Sequence, residues 1–109
     1  NYEAMIIGEE SVDLNLKRLM DACLKYDYCL LVMADHGNSD EMYDKGMNPD
    51  GTPKPKTSHS LAPVPFAVFN GPEGTKIKEG QFGLANVAAT TVKILGFEPP
   101  KEWLESIIE

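Results

Sequence analysis

The stretch Tyr28-Cys29-Leu30-Leu31-Val32-Met33-Ala34 holds seven residues without a charge or a turn former, and it breaks off directly into Asp35-His36-Gly37-Asn38. A run of that length and character predicts a buried strand, and open α/β sheets place their chemistry at the carboxyl ends of such strands. Side chains alternate on a regular strand, so Asp35 and His36 can serve one ion only where the strand has already ended. Gly37 reads as the residue that permits the turn. Taken alone, the pair has a blander reading as a hydrogen-bonded turn at a strand end.

On the amino-terminal side, Val12, Leu16, Leu19, Met20, Cys23 and Leu24 recur at steps of three and four, with Asp13, Lys17, Arg18 and Asp21 on the opposite face. This predicts an amphipathic helix from Gly8 to Lys25, with Met5, Ile6 and Ile7 as its possible beginning. A helix feeding directly into an apolar strand is the second half of a βαβ unit. Its first strand is not in this sequence. A chain that opens on a helix and holds about three strands leaves sheet edges exposed, which points to a piece of a larger protein.

Beyond the central strand, Asn38 to Tyr43 reads as a short helix with acids in its first turn. Asp44 to Lys56, with its glycine and proline breakers, reads as a long surface loop. That loop closes on Thr57-Ser58-His59-Ser60 and leads into a second apolar strand over 64–69, with Pro63 and Pro65 at its start. The flanking hydroxyls can hydrogen-bond backbone or the surroundings of a ligand, although a single histidine in such a loop is more often structural or solvated. Asn70 to Gly74 forms a turn, Thr75 to Lys78 a short edge strand, and Asn86 to Leu95 a compact helix that Gly96 stops. Pro99-Pro100 reads as the start of a last short helix carrying Trp103, Leu104, Ile107 and Ile108 on one face.

Composition narrows the function classes. At 109 residues, 42% hydrophobic and 25% charged, the chain has the make-up of one soluble globular domain. No apolar run approaches the roughly 20 residues needed to cross a bilayer, and no secretion signal is recognisable. A net charge of -7 argues against nucleic-acid binding. With Arg18 the single arginine, most of any grip on a phosphorylated metabolite must come from outside these residues. Cys23 and Cys29, without CxxC spacing, read as reduced thiols of a cytoplasmic protein.

Three segments in order carry a resemblance: Ala34-Asp35-His36-Gly37-Asn38, then Thr57-Ser58-His59-Ser60-Leu61 running into Pro63-Val64-Pro65-Phe66, then Asn86-Val87-Ala88-Ala89-Thr90 before Leu95-Gly96. The pattern resembles the carboxyl-terminal part of the cofactor-independent phosphoglycerate mutases, two-metal enzymes of the alkaline phosphatase superfamily. Asn1-Tyr2-Glu3-Ala4 is similar to the segment that follows a metal-binding Gly-His-Thr-Gly run in that family. The Asp-His-Gly element is shared across the superfamily, whereas the step from Ser-His-Ser to Pro-Val-Pro-Phe narrows the likeness to the mutase. The long loop and the Trp103 to Ile108 ending depart from the family pattern at the periphery.

The resemblance implies an α/β fold in which residues 1–109 form the carboxyl-terminal part of a metal-binding phosphatase domain. That domain is an alkaline-phosphatase-like sandwich, a mostly parallel sheet flanked by helices, and is incomplete in this chain. It implies two divalent ions, typically manganese, that hold a serine nucleophile and the substrate phosphate. Asp35 and His36 would bind the ion that also holds the serine, and His59 the other. The serine, the remaining ligands and the arginines that grip the glycerate would lie outside this chain. Mixed carboxylate and imidazole donors suit manganese, cobalt or zinc rather than calcium. With so few donors per ion, the chain alone should bind metal weakly or not at all and be inactive.

The implied activity is interconversion of 2- and 3-phosphoglycerate in a monomeric cytoplasmic enzyme, with a small phosphorylated substrate and neither nucleic acid nor membrane as partner. Two other readings stand beside it. One keeps the superfamily and changes the reaction to that of a phosphopentomutase, phosphatase or sulfatase. The other is a non-catalytic α/β module in which Asp35, His36 and His59 are ordinary turn and loop residues.

Overall fold

The computed structural model describes residues 1–56, 58 and 60–109, so Thr57 and His59 lie outside the described residues. In chain order the elements are helix α1 (Tyr2–Tyr26), strands β1 (Leu30–Met33), β2 (Tyr43–Met47), β3 (Pro53–Pro55) and β4 (Phe66–Phe69), a 3-10 turn (Leu84–Asn86) and helix α2 (Val87–Ile94).

Helix α1 starts six residues before the predicted Gly8. The Asn1 side chain caps it, accepting from the backbone N–H groups of Glu3 (3.0 Å) and Ala4 (3.5 Å), and Gly8 is carried inside the helix. It ends where Asp27 adopts a left-handed conformation (φ 58°, ψ 49°) and its N–H, like that of Tyr28, bonds back to the Cys23 carbonyl. Asn70, itself left-handed at φ 55°, closes the same corner. Its amide donates to the carbonyls of Tyr28 (3.0 Å) and Cys23 (3.4 Å), tying the end of β4 to the junction of α1 and β1.

β1 pairs antiparallel with β4, with Leu30 opposite Phe69 and Met33 opposite Phe66. This brings the carboxyl end of β1 beside the amino end of β4. Both pairings among the described residues are antiparallel, so the parallel neighbours that a βαβ reading gives β1 are not among these strands.

Two local expectations are corrected. No helix forms over Asn38 to Tyr43; Glu41 N–H closes a turn onto the Asn38 carbonyl (3.0 Å), and β2 begins at Tyr43. The segment Asp44 to Lys56 is largely a β-hairpin, β2 with β3, closed by Gly51 at φ 83° and by Asn48 N–H on the Thr52 carbonyl (2.9 Å). The prolines of β3 lack an N–H but keep their carbonyls, and a bulge absorbs the irregular register. The base of the hairpin touches α1, through Ser39 donating to Glu9 at 2.7 Å and Tyr2 against Tyr43 with ring centres 5.5 Å apart.

The predicted helix after Pro99-Pro100 is likewise absent. A turn closed by Trp103 N–H on the Pro100 carbonyl leads into an extended tail, where Ile107 and Ile108 are buried while Trp103 and Leu104 stay exposed. Tertiary bonds override the amphipathic pattern here. Lys78 N–H bonds the Ile107 carbonyl (2.8 Å), Glu109 N–H bonds that of Lys76 (2.9 Å), and the predicted edge strand is a single bridge between Ile77 and Ile108. The fully buried Thr90 of α2 joins this core by donating to the Asn86 carbonyl and accepting from Ile107 N–H, both at 2.8 Å. As predicted, α2 stops at Gly96, which takes φ 90°.

Cys23 and Cys29 are free thiols. Burial, and then the neighbouring Cys23, push the Cys29 thiol above its ordinary pKa, so it is not poised as a nucleophile. Among the described residues no helix is long and apolar enough to cross a membrane.

Candidate metal centre

β1 ends at Met33, so Asp35 and His36 sit in a bend rather than on opposite faces of a strand. His36 Nε2 lies 3.5 Å from Asp35 Oδ1, with the carboxylate 84% and the imidazole 34% exposed. His36 Nδ1 is 3.0 Å from the Gly37 carbonyl. A carbonyl can only accept, so Nδ1 carries a proton in this contact, and in the neutral ring Nε2, the atom facing Asp35, is then the nitrogen left to bind an ion. Binding of an ion through Nε2 requires this arrangement.

Gly37 is required here, although not for the conformational freedom expected of it, since its φ is not positive. The requirement is space. A Cβ at this position would stand 2.6 Å from Asp40 Oδ1 and 3.0 Å from both Cβ and Oγ of Ser60. The crowding arises because Gly37 and Ser60 form an antiparallel bridge, Ser60 N–H to Gly37 O at 2.9 Å and Gly37 N–H to Ser60 O at 3.3 Å.

Ser60 is 3% exposed and fully bonded. Its hydroxyl donates to Asp40 Oδ2 at 3.0 Å, with Glu41 Oε2 farther away at 3.4 Å, and accepts from Ala62 N–H at 3.0 Å. Lys56 Nζ holds the Glu41 carboxylate at 3.2 Å and is itself largely covered. Sequence reasoning singled out the hydroxyls beside His59 but gave Asp40 only the role of a helix first-turn acid; no periodicity marks a carboxylate that acts across a bridge.

The bend opens on a cavity of about 510 Å³. Leu61, Pro63, Val64 and Phe66 line it from the β4 side and Phe82, Leu84, Val87 and Ile107 from the α2 side, while Asp35, His36, Ser60 and Lys78 supply polar groups. Of the predicted site residues, the structure therefore brings Asp35 and His36 together at one end of β1. His59, the third, lies outside the described residues.

The donors present fit part of a divalent-metal site. One carboxylate and one correctly tautomerised imidazole are of the right chemistry, and 3.5 Å is a separation that two donors on one ion, each bonded at about 2.0–2.2 Å, can span. Among the described residues no group of three or more histidine, cysteine, aspartate or glutamate side chains is placed to hold an ion. Two donors make an incomplete shell.

A bend set at the end of an apolar strand and facing a cavity is where α/β folds bind their ligands. The chain belongs to the Metalloenzyme superfamily, whose family profile matches residues 1–99.

Its relatives are phosphoglycerate mutases of the 2,3-bisphosphoglycerate-independent type. The whole chain is 41% identical to a probable enzyme of that name from Leptospira interrogans, covering 21% of its length, and 41% identical to one from Trypanosoma brucei brucei, covering 22%. A solved structure of the Leishmania mexicana phosphoglycerate mutase at low cobalt concentration matches the whole chain with a TM-score of 0.89 at 37% identity, over 22% of its own chain. The chain thus spans about a fifth of the length of the relatives it matches. The likeness accords with an α/β, alkaline-phosphatase-like fold that is incomplete in this chain.

Proposed function

We propose that these residues are the carboxyl-terminal part of the phosphatase domain of a cytoplasmic, monomeric, cofactor-independent phosphoglycerate mutase. The reading is carried by the match of the whole chain to a solved mutase. In it, Asp35 and His36 hold one divalent ion and His59 a second, manganese being the metal favoured. When bound, such ions neutralise phosphoryl oxygens and lower the pKa of a hydroxyl nucleophile.

This chain's own contribution is to bind and to orient. The bend after β1 presents the Asp35 carboxylate, and the Gly37 carbonyl holds the His36 ring through Nδ1 with Nε2 beside that carboxylate. The phosphoryl group passes from the substrate oxygen to a serine hydroxyl outside this chain and returns to the neighbouring hydroxyl of the same glycerate, exchanging the 2- and 3-phosphate esters. By itself the chain holds too few donors for tight metal binding and lacks the nucleophile, so it is inactive alone.

The test is to assay the intact protein with 3-phosphoglycerate and manganese, following 2-phosphoglycerate and free phosphate. Formation of 2-phosphoglycerate that is lost in His36→Ala and in His59→Ala is the expected result. Release of free phosphate alone would remove the mutase reading and leave a phosphatase of the same superfamily.

A further inference from the structure

The Gly37 carbonyl accepts two hydrogen bonds, from His36 Nδ1 at 3.0 Å and from Ser60 N–H at 2.9 Å. The group that sets the imidazole's tautomer and tilt is therefore itself aimed by Ser60. Ser60 is held in turn by Asp40, whose Oδ2 takes the serine hydroxyl proton at 3.0 Å, while Lys56 engages the competing Glu41 carboxylate at 3.2 Å. Asp40 and Ser60 also crowd the side of Gly37 where a Cβ would stand, so the three residues are packed together.

We propose that Ser60 and Asp40 are positioning residues for the metal centre: by clamping the Gly37 carbonyl they fix the His36 imidazole so that Nε2 stands beside the Asp35 carboxylate. The inference rests on the reading that Asp35 and His36 bind a divalent ion. The clamp works through orientation. Without it the carbonyl can swing, the Nδ1–H bond weakens, and the ring samples the tautomer with its proton on Nε2, which withdraws the nitrogen that faces Asp35 from the ion.

The experiment uses the intact protein and cobalt(II) as the probe, with affinity measured at the site that His36→Ala abolishes. Ser60→Ala, which deletes one buried oxygen, and Asp40→Ala should each weaken cobalt binding about 10–100-fold. Ser60→Thr and Asp40→Asn, which restore the donor and an acceptor, should recover most of it. Imidazole nitrogen shifts of the metal-free protein supply a second readout. His36 should be in the Nδ1–H form in the wild type and in Ser60→Thr, and a mixture of tautomers in Ser60→Ala. If an alanine variant does not fold, Asp40→Glu, which lengthens the side chain by one methylene, is read in its place.

Cobalt binding and a His36 tautomer that stay as in the wild type in Ser60→Ala and Asp40→Ala, while His36→Ala loses the site, would overturn the clamp alone. Wild-type cobalt binding in His36→Ala would overturn the metal reading beneath it.

Discussion

Replacing Gly37 by alanine tests whether space, rather than backbone freedom, is what this position demands. The added methyl would sit 2.6 Å from Asp40 Oδ1 and 3.0 Å from Ser60 Cβ and Oγ. The Asp40 side chain can swing away, but that breaks its bond to the Ser60 hydroxyl, and a bond to a charged group is worth about 1.5–3 kcal/mol. Ser60 cannot swing, because its Cβ is fixed by the reciprocal backbone bridge to Gly37; it must shift by a few tenths of an ångström, an overpacking cost of about 1–3 kcal/mol. The two responses partly substitute for one another, giving a loss of about 2–4 kcal/mol. Denaturant unfolding of the intact protein measures this, and amide exchange at Gly37 and Ser60 shows whether the opening is local. Gly46→Ala is the control: a Cβ there meets nothing within 4 Å, and the change should stay within about 0.5 kcal/mol. A Gly37→Ala protein with wild-type stability and wild-type protection at both amides would refute the reasoning.

Gly8 lies inside α1, where an added methyl would meet nothing within 4 Å, so Gly8→Ala should stabilise the helix by about 0.5–1 kcal/mol. Circular dichroism of a synthetic 1–28 peptide pair reads this as higher helicity in the alanine form. Thr90→Val keeps shape but leaves the buried Ile107 N–H without its acceptor, which should cost about 1–3 kcal/mol and raise the exchange rate of the Ile107 amide. At the hairpin tip, the Thr52 hydroxyl and then its N–H hold the Asp50 carboxyl below its ordinary pKa. A depressed pKa contributes stability above the unfolded-state value and loses it as pH falls through the folded-state value. The β2–β3 turn should therefore loosen on the acid side, and Thr52→Ala should move the Asp50 titration upward in an NMR pH series.

The elements that could be read from the sequence are those whose pattern comes from one face of burial. α1, β1, β4 and α2 announced themselves through three-to-four spacing or an unbroken apolar run, and Gly96 marked a true stop. Tyr43 to Pro55 concealed a hairpin because its strands are made of residues that normally signal loops; nothing local shows that proline carbonyls will be used on one edge. The tail misled in the opposite way. Ile107 and Ile108 fit a helical face, yet the bond from Lys78 N–H to the Ile107 carbonyl, that from Ile107 N–H to Thr90 and that from Glu109 N–H to the Lys76 carbonyl, all between residues distant in sequence, hold the segment extended. The bend that holds Asp35 and His36 was legible because a strand end is legible. The bond from Ser60 to Asp40 was not, since a contact across a bridge leaves no periodic trace.

α1 is 25 residues long, yet Cys23 is its only buried residue, and Ile7, Val12 and Leu24 are 66%, 63% and 61% exposed. A helix of that kind gains little from propensity and is held mainly by what packs on its apolar face. The radius of gyration, 17.9 Å, exceeds the roughly 13 Å of a compact domain of about 100 residues. Relatives about five times as long carry the same segment, so the packing surface and the missing metal donors are drawn, in the function proposed, from the same remaining length of chain. In the function proposed, folding and metal binding are linked, because an ion that joins Asp35 and His36 to donors from another segment stabilises the folded arrangement by mass action.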